Sequence, residues 1–321
     1  MADGTGVPYS PIKQPLLQIQ DGGPEMNMQE ILQRELNTLF ESRGHPGLPP
    51  SLSLEVQLDL QKETFFLKQE QQIFEELIHM RDKTKTFYHY TSFPALMEIL
   101  KSGKIRFSSP AGLNDITEIS SGNTILKEQL DPELDEIRLH NITKRFIFSL
   151  TDRYDNLNQW RLYGADGTGV CLGLDLSGIS DDKYLRFGCI LYGEAIAATL
   201  SRIRSRITDE LQKNFDFRDY QRWGYFIKDS DYAEESEYRL ICYDDSEKLL
   251  NKASWRINNH GAFYPYLDMD MKALNMELET ILFGPKFKEK VLNKGMIENY
   301  LTRYYSEKQI SIEFSSIKSY R

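Results

Sequence analysis

The chain has 321 residues, 40% of them hydrophobic and 12% aromatic, with 18 Tyr and 17 Phe. That is long and apolar enough for a real core, which excludes a solvated disordered chain as the default. The formal net charge of −9 excludes a generic nucleic-acid binder, because neutralising phosphates needs a basic surface, although a local basic face stays open.

Residues 1–24 carry Gly, Pro, Gln and Asp without periodicity and read as a mobile N-terminal arm. Ala2 stands where a myristoylation signal needs glycine, and the basic start and apolar stretch of a signal peptide are missing. Met28, Ile31, Leu32, Leu36, Leu39 and Phe40 give a helix with one apolar face over 26–41, and Gly44 to Pro50 breaks it. Leu52, Leu54, Val56, Leu58 and Leu60 alternate as a strand would. Gln, Lys and Glu then dominate, with apolar residues at helical spacing, and predict a helix over 60–81. The region 25–86 is therefore expected to be mainly helical, and either to pack on the rest of the chain or to form a homodimer.

The densest signals lie between Phe87 and Glu118. Phe87, Tyr88 and Tyr90 favour a strand, with His89 on the opposite face of the pleat from its tyrosine neighbours. Thr91 or Ser92 caps the following helix, Pro94 suits its first turn, and Leu96, Met97, Ile99 and Leu100 form its stripe. Gly103 closes that helix in a left-handed conformation. Ile105 to Phe107 is a second strand, and Ser108 to Asp115 a polar loop.

Beyond it, Asn123 to Leu139 reads as an acidic helix, and Phe146 to Leu150 as a buried strand with Ser149 and Thr151 on one face. A polar segment carrying Trp160, Arg161 and Tyr163 precedes the strand that contains Cys171. Phe187 to Tyr192 is a strand, and Ala195 to Phe215 a helix on which Arg202, Arg204 and Arg206 make either a solvated face or an anion site. Glu234, Glu235 and Glu237 open a strand over 232–243. Thr280 to Phe283 and Ile310 to Ile317 are strands flanking a helix from Glu289 to Tyr305. The class is mixed α+β with a largely antiparallel sheet. Nowhere does an apolar run approach the about eighteen residues of a membrane span. Cys171, Cys189 and Cys242 are odd in number and widely spaced, which fits buried thiols in a reducing cytoplasm rather than a zinc site or a disulfide framework.

Common catalytic signatures are absent: there is no P-loop, HExxH, GxSxG or CxxC, and GADGTGVCLG does not give GxGxxG. What remains is an ordered set of His89, then Ser149 and Thr151, then Glu235 and Glu237. Alternate strand residues share a face, so the glutamates point together and so do the hydroxyls, as the lining of a cleft would. Each has a plainer explanation. His89 is also suited to packing, the hydroxyls to bonding nearby backbone, and the glutamates to a surface pair with Arg239.

The motifs YHYTS (88–92), IRFSSPAGLND ending at Asp115, FSLTD (148–152), GTGVCLGLD (167–175), EESEYRLI (234–241), FGPK (283–286) and the terminal SSIKSYR resemble the bacterial family known as DUF2971 over 87–321. More distantly, their order resembles the ADP-ribosyltransferase superfamily, with Ser149-Leu150-Thr151 departing from its Ser-Thr-Ser element. That resemblance implies a split sheet preceded by the N-terminal helical region, and a chain that uses NAD as substrate. It would transfer ADP-ribose to a protein or nucleic-acid acceptor, or hydrolyse NAD, in the manner of toxin and defence enzymes. By the same resemblance His89 holds the adenosine side, Ser149 and Thr151 support the nicotinamide cleft, and Glu237 binds the nicotinamide ribose. Glu235 would orient or deprotonate the acceptor, Tyr90 or Tyr163 would stack on the nicotinamide, and the loop from Ser108 to Asp115 would close over it. Two other readings stand beside this one. The first is a non-catalytic ligand-sensing or interaction module, and the second a nuclease using Asp115, Glu118, Glu235 and Glu237 for a divalent metal.

Overall fold

In a computed structural model of the chain, residues 24–78, 86–112, 122, 124–126, 144–179, 184–218, 220–244, 248–258, 261–305 and 309–320 are described. The expected N-terminal arm, the acidic helix over 123–139 apart from 124–126, and the Leu113 to Asp115 end of the polar loop lie outside them. The strands are β1 (Val56–Asp59), β2 (Thr64–Leu67), β3 (Phe87–Thr91), β4 (Lys104–Ser108), β5 (Arg145–Thr151), β6 (Val170–Asp175), β7 (Leu185–Cys189) and β8 (Leu191–Tyr192), continuing with β9 (Phe215–Asp216), β10 (Ile227–Lys228), β11 (Glu237–Tyr243), β12 (Ser254–Ile257), β13 (Phe263–Asp270), β14 (Glu277–Phe283) and β15 (Ser311–Phe314). The helices are α1 (Pro24–Ser42), α2 (Glu70–Ile78), α3 (Phe93–Ser102), α4 (Leu157–Leu162), α5 (Ala195–Leu211), α6 (Tyr220–Trp223) and α7 (Lys290–Tyr304). No helix among the described residues is long and apolar enough to cross a membrane.

Ten strands make one mixed, mostly antiparallel sheet in the order β12-β13-β4-β5-β3-β6-β14-β15, with β11 and β7 branching from β5. The branch is a split. β11 lies antiparallel along the whole of β5, from Glu237 opposite Thr151 to Tyr243 opposite Arg145. The other edge of β5 meets β4 at Ile147 and β3 at Thr151. Between those two points it has no strand partner among the described residues.

Alternation along β5 and β11 sorts the side chains to two faces. Phe146, Phe148 and Leu150 with Tyr238, Leu240 and Cys242 pack into the core under α3 and α7. Ile147, Ile241 and Tyr243 face the opposite core, built with α1, α2 and α5. Farther along that second face, Tyr90, Trp160, Cys171 and Leu282 form a smaller cluster. The three cysteines are free, with Cys171 and Cys242 buried and Cys189 partly so.

Local signals in the stretch from Phe87 are obeyed. Ser92 caps α3 by accepting from Ala95 N at 3.3 Å, and Gly103 closes it with φ 67°. Elsewhere tertiary pairing overrides composition. Of the helix expected over 60–81, residues 70–78 form α2, whereas 60–67 are the turn, with Glu63 left-handed, and the second strand of the hairpin β1–β2, in which β2 also pairs in parallel with β9. The helix from Ala195 stops at Leu211, where Gln212 turns left-handed at φ 51°, so Phe215 is a strand residue. The strand expected over 187–192 is two strands, and β12 and β13 are additional to the expected elements.

The apolar stripe of α1 is buried against α5, so a homodimer through this helix would need its other face. Arg202 and Arg206, although partly exposed, also clamp Glu35 of α1, each at 2.6 Å. Burial opposes ionisation of Glu35, but the two guanidiniums outweigh it and hold its carboxyl below the ordinary 4.5. Glu35→Gln is therefore expected to lose about 1–3 kcal/mol in urea unfolding at neutral pH. A lowered folded pKa gives stability that is complete above the unfolded value and fades as pH falls below it. The gap between wild type and Glu35→Gln should thus narrow when the same unfolding is repeated below pH 4.5.

Candidate functional site

A cavity of about 170 Å³ opens where the sheet splits, lined by Tyr88, His89, Tyr90, Gly112, Ser149, Leu150, Thr151, Gln159, Tyr163, Glu235 and Glu237. All seven residues that the resemblance to ADP-ribosyltransferases picks out are on its wall: His89, Tyr90, Ser149, Thr151, Tyr163, Glu235 and Glu237. They come from β3, β5, the end of α4 and the approach to β11.

His89 sits at the point of divergence. Its Nδ1 lies 3.0 Å from the Ser149 carbonyl, which can only accept, so Nδ1 carries the hydrogen. The ring packs on Phe148 with centroids 4.5 Å apart. Desolvation pushes the His89 pKa below its ordinary value, against the smaller upward pull of that hydrogen bond, so the imidazole is neutral at pH 7. A neutral ring donating through Nδ1 turns Nε2 into an acceptor.

Glu235 and Glu237 are not a strand pair. Glu235 ends a 3₁₀ turn from Ser230, and Ser236 is left-handed at φ 48°, so β11 begins at Glu237. The two carboxylates nevertheless converge on Lys228, which bonds Glu235 and stands 3.4 Å from Glu237. Lys228 is 1% exposed and is fixed by the parallel pairing of β10 with β8, where it stands opposite Tyr192. Glu237 is also gripped by Arg239, with Nε to Oε1 at 2.7 Å and Nη2 to Oε2 at 2.9 Å. The pair with Arg239 is therefore buried rather than on the surface. Burial pushes the Glu237 pKa up, but Arg239, Lys228 and the Ser149 hydroxyl together bring it below 4.5. Those donors fill the roughly four acceptor positions of one carboxylate. Glu235 is engaged less completely, by Lys228 and by the Tyr163 hydroxyl at 2.8 Å.

The remaining groups hold this arrangement. Thr151 Oγ1 and Gln159 Nε2 both donate to the Glu235 carbonyl, at 2.8 and 3.0 Å. Tyr90 was expected to offer a stacking face, yet it is 5% exposed, and its ring meets Trp160 edge-on. Its hydroxyl donates to Arg153 O and accepts from Asn156 N, so it secures the loop before α4. Tyr88 and Tyr163, only partly buried, are the tyrosines with more open surface.

Lys228 and Gln159 were not found from sequence. A lysine directly after the apolar run Tyr225-Phe226-Ile227 and shortly before an acidic cluster was the available sign, since a buried lysine requires a paired carboxylate. Asp115 and Glu118 lie outside the described residues. Within those residues, no group of three or more His, Cys, Asp or Glu side chains is placed to hold a metal ion.

Fold and site thus describe an α+β protein with a polar ligand-sized cleft in a split sheet. The family described as "Protein of unknown function (DUF2971)" matches residues 159–240, a span holding Gln159, Tyr163, Lys228, Glu235, Glu237 and Arg239. No curated protein and no solved structure matches the chain.

The unequal engagement of the two glutamates has a measurable consequence. Glu237→Ala leaves Arg239 and Lys228 buried with one counter-charge fewer and should cost about 3–5 kcal/mol in urea unfolding. Glu235→Gln, at a partly exposed position with fewer partners, should cost about 1–2 kcal/mol in the same assay.

Proposed function

We propose that the cavity binds the nicotinamide-bearing half of NAD and that the chain transfers ADP-ribose to a macromolecular acceptor or to water. The observation that supports this reading is the gathering of His89, Ser149, Thr151, Tyr163, Glu235 and Glu237 on one wall from segments far apart in the chain. The cavity suits part of the molecule. At about 170 Å³ it is smaller than the about 300–1,000 Å³ of a drug-sized pocket, room for a ribose with its base rather than a whole dinucleotide. Its hydroxyls, carboxylate and tyrosines are what a ribose and an aromatic base need. Lys228 and Arg239 are engaged with the two glutamates, so the phosphates are assigned outside the cavity.

NAD supplies a glycosidic bond to a cationic base, which breaks with its electron pair leaving on neutral nicotinamide. The chain's residues are fitted to support that loss. Glu235 keeps acceptor capacity on its carboxylate, and a carboxylate facing the anomeric carbon stabilises the positive charge that develops there. Glu237, saturated by its own cations, orients Lys228 and through it Glu235. The role expected for Glu237 at the nicotinamide ribose is thereby given to Glu235, and Glu237 takes a supporting one. Tyr163, bonded to Glu235 and partly exposed, is the ring assigned to the nicotinamide. The acceptor's proton passes to solvent or to a base of the acceptor complex.

The saturation of Glu237 also favours a second reading, in which the same cleft binds its ligand without chemistry. Nicotinamide release from NAD, followed by chromatography with and without cell extract, separates the two. Wild type is expected to release nicotinamide, and Glu235→Gln to do so about 100-fold more slowly while still binding NAD. Heat-stabilisation by NAD without release would favour the binding module, and neither effect would reject NAD as the ligand.

A further inference from the structure

The wall of the cavity made by α4 is tied down from outside by the C-terminal segment. Asp155, in the turn before α4 with φ 45°, accepts from Trp160 Nε1 at 2.8 Å and Ser315 Oγ at 2.7 Å on one oxygen. On the other it accepts from Ser316 N at 2.7 Å and Ser316 Oγ at 2.8 Å. A carboxylate so furnished has its acceptor positions filled, and a local hydrogen bond to Trp160 is joined to a contact that spans half the chain. Burial raises the Asp155 pKa, but these donors outweigh it and keep the group ionised.

The segment then runs on across α4. Ile317 and Tyr320 pack with Tyr163 against the cluster of Tyr90, Trp160 and Cys171. Its far end is moored as well: Tyr320 Oη donates to Asp166 Oδ1 at 2.9 Å, while Lys286 holds Asp166 Oδ2 at 2.8 Å and lies over the Tyr320 ring at 4.2 Å. Between the two moorings are Gln159 of α4 and Tyr163 at its C-terminal cap, which bond the Glu235 carbonyl and carboxylate.

We propose that Asp155 is a positioning residue of the cavity: by joining Ser315 and Ser316 to Trp160, it uses the C-terminal segment to hold Gln159 and Tyr163 against Glu235. Where the ligand is concerned, this rests on the reading of the cavity as a site for NAD. Removing the tie leaves each cavity residue in place by type but loosens its placement, and small misplacements of positioning groups are costly to binding and rate.

The test uses the full chain carrying Asp155→Asn, Ser316→Ala or Ser316→Thr, with two readouts. The first needs no ligand: amide hydrogen exchange of residues 157–163 compared with the rest of the chain. The second is the split of KM and kcat for nicotinamide release. Asp155→Asn is expected to speed exchange selectively over 157–163 by about tenfold and to raise KM for NAD about tenfold with kcat within about twofold. Ser316→Ala should move both in the same direction by less, and Ser316→Thr, which restores a hydroxyl, should return them towards wild type. Unchanged exchange, or exchange faster everywhere alike, would overturn the proposal, as would an unchanged KM in an active enzyme. If Asp155→Asn does not fold, the two Ser316 variants decide on the same readouts. If wild type neither binds nor cleaves NAD, the functional reading falls, and selective exchange over 157–163 alone upholds or overturns the positioning role.

Discussion

A strand has two edges, and β5 serves three neighbours. β11 takes one edge along its full length, while β4 and β3 touch the other only at Ile147 and Thr151. In the interval the Ser149 carbonyl has no ladder partner, and a part-buried carbonyl without a donor is unfavourable. The Nδ1–H of His89 supplies that donor. The ladder is thus satisfied without being continued, and the sheet can open at little loss. The strand-borne part of the lining is placed by this opening: Tyr88 and Tyr90 on the departing strand, Ser149 and Thr151 on the strand left behind.

The opening also sets the electrostatics. The register of β11 on β5 puts Arg239 beside Ser149 and Glu237 beside Thr151, all on the cavity face. Lys228 enters from β10, and the formal charges of Lys228, Arg239, Glu235 and Glu237 cancel. A cluster of this kind holds itself together through short, charge-assisted bonds. The left-handed turn at Ser236 takes Glu235 out of the strand, whereas Glu237 is the first residue of β11. Two chemically identical carboxylates, two residues apart, are thereby given different surroundings. Both line the cavity, but one is saturated and 7% exposed, whereas the other retains acceptor capacity.

How far the sequence foretold this depends on the range of the signal. The segment from Phe87 to Phe107 was legible because its determinants are local: a serine cap, an early proline, a stripe at helical spacing and a closing glycine. β5 was legible from the apolar run Phe146-Ile147-Phe148, with Leu150 resuming it after Ser149. In the hairpin β1–β2 the first strand shows in the alternation of Leu54, Val56 and Leu58, but the turn and β2 do not, because the Gln, Lys and Glu around them favour helix and the pairing of β2 with β1 and the distant β9 decides otherwise. β13 contains Pro265, which weakens a strand signal that β12 and β4 restore by pairing on both sides. The turn at Ser236 carries no glycine to announce its positive φ, so Glu235 read as part of the strand. The site residues themselves were found by type and order. Their partners were not, since Lys228, Gln159 and Asp155 matter only through contacts that the fold creates.

Those partners bear on why the cluster exists. Four formally charged side chains near the middle of a sheet are a poor route to stability, since apolar residues of similar volume commonly do as well or better. Here the apolar alternative is close at hand, because the same face carries Ile147, Ile241 and Tyr243 in one cluster and Tyr90, Trp160 and Cys171 in another. The polar strip lies between them, and its members are held by groups that do not themselves line the cavity: Lys228 and Arg239 for Glu237, Asp155 for the helix that bears Gln159 and Tyr163, Tyr192 for the Glu237 amide at 2.8 Å. A carboxylate with capacity to spare, set in a rigid polar frame beside a cavity, is what binding or catalysis requires and what packing alone does not.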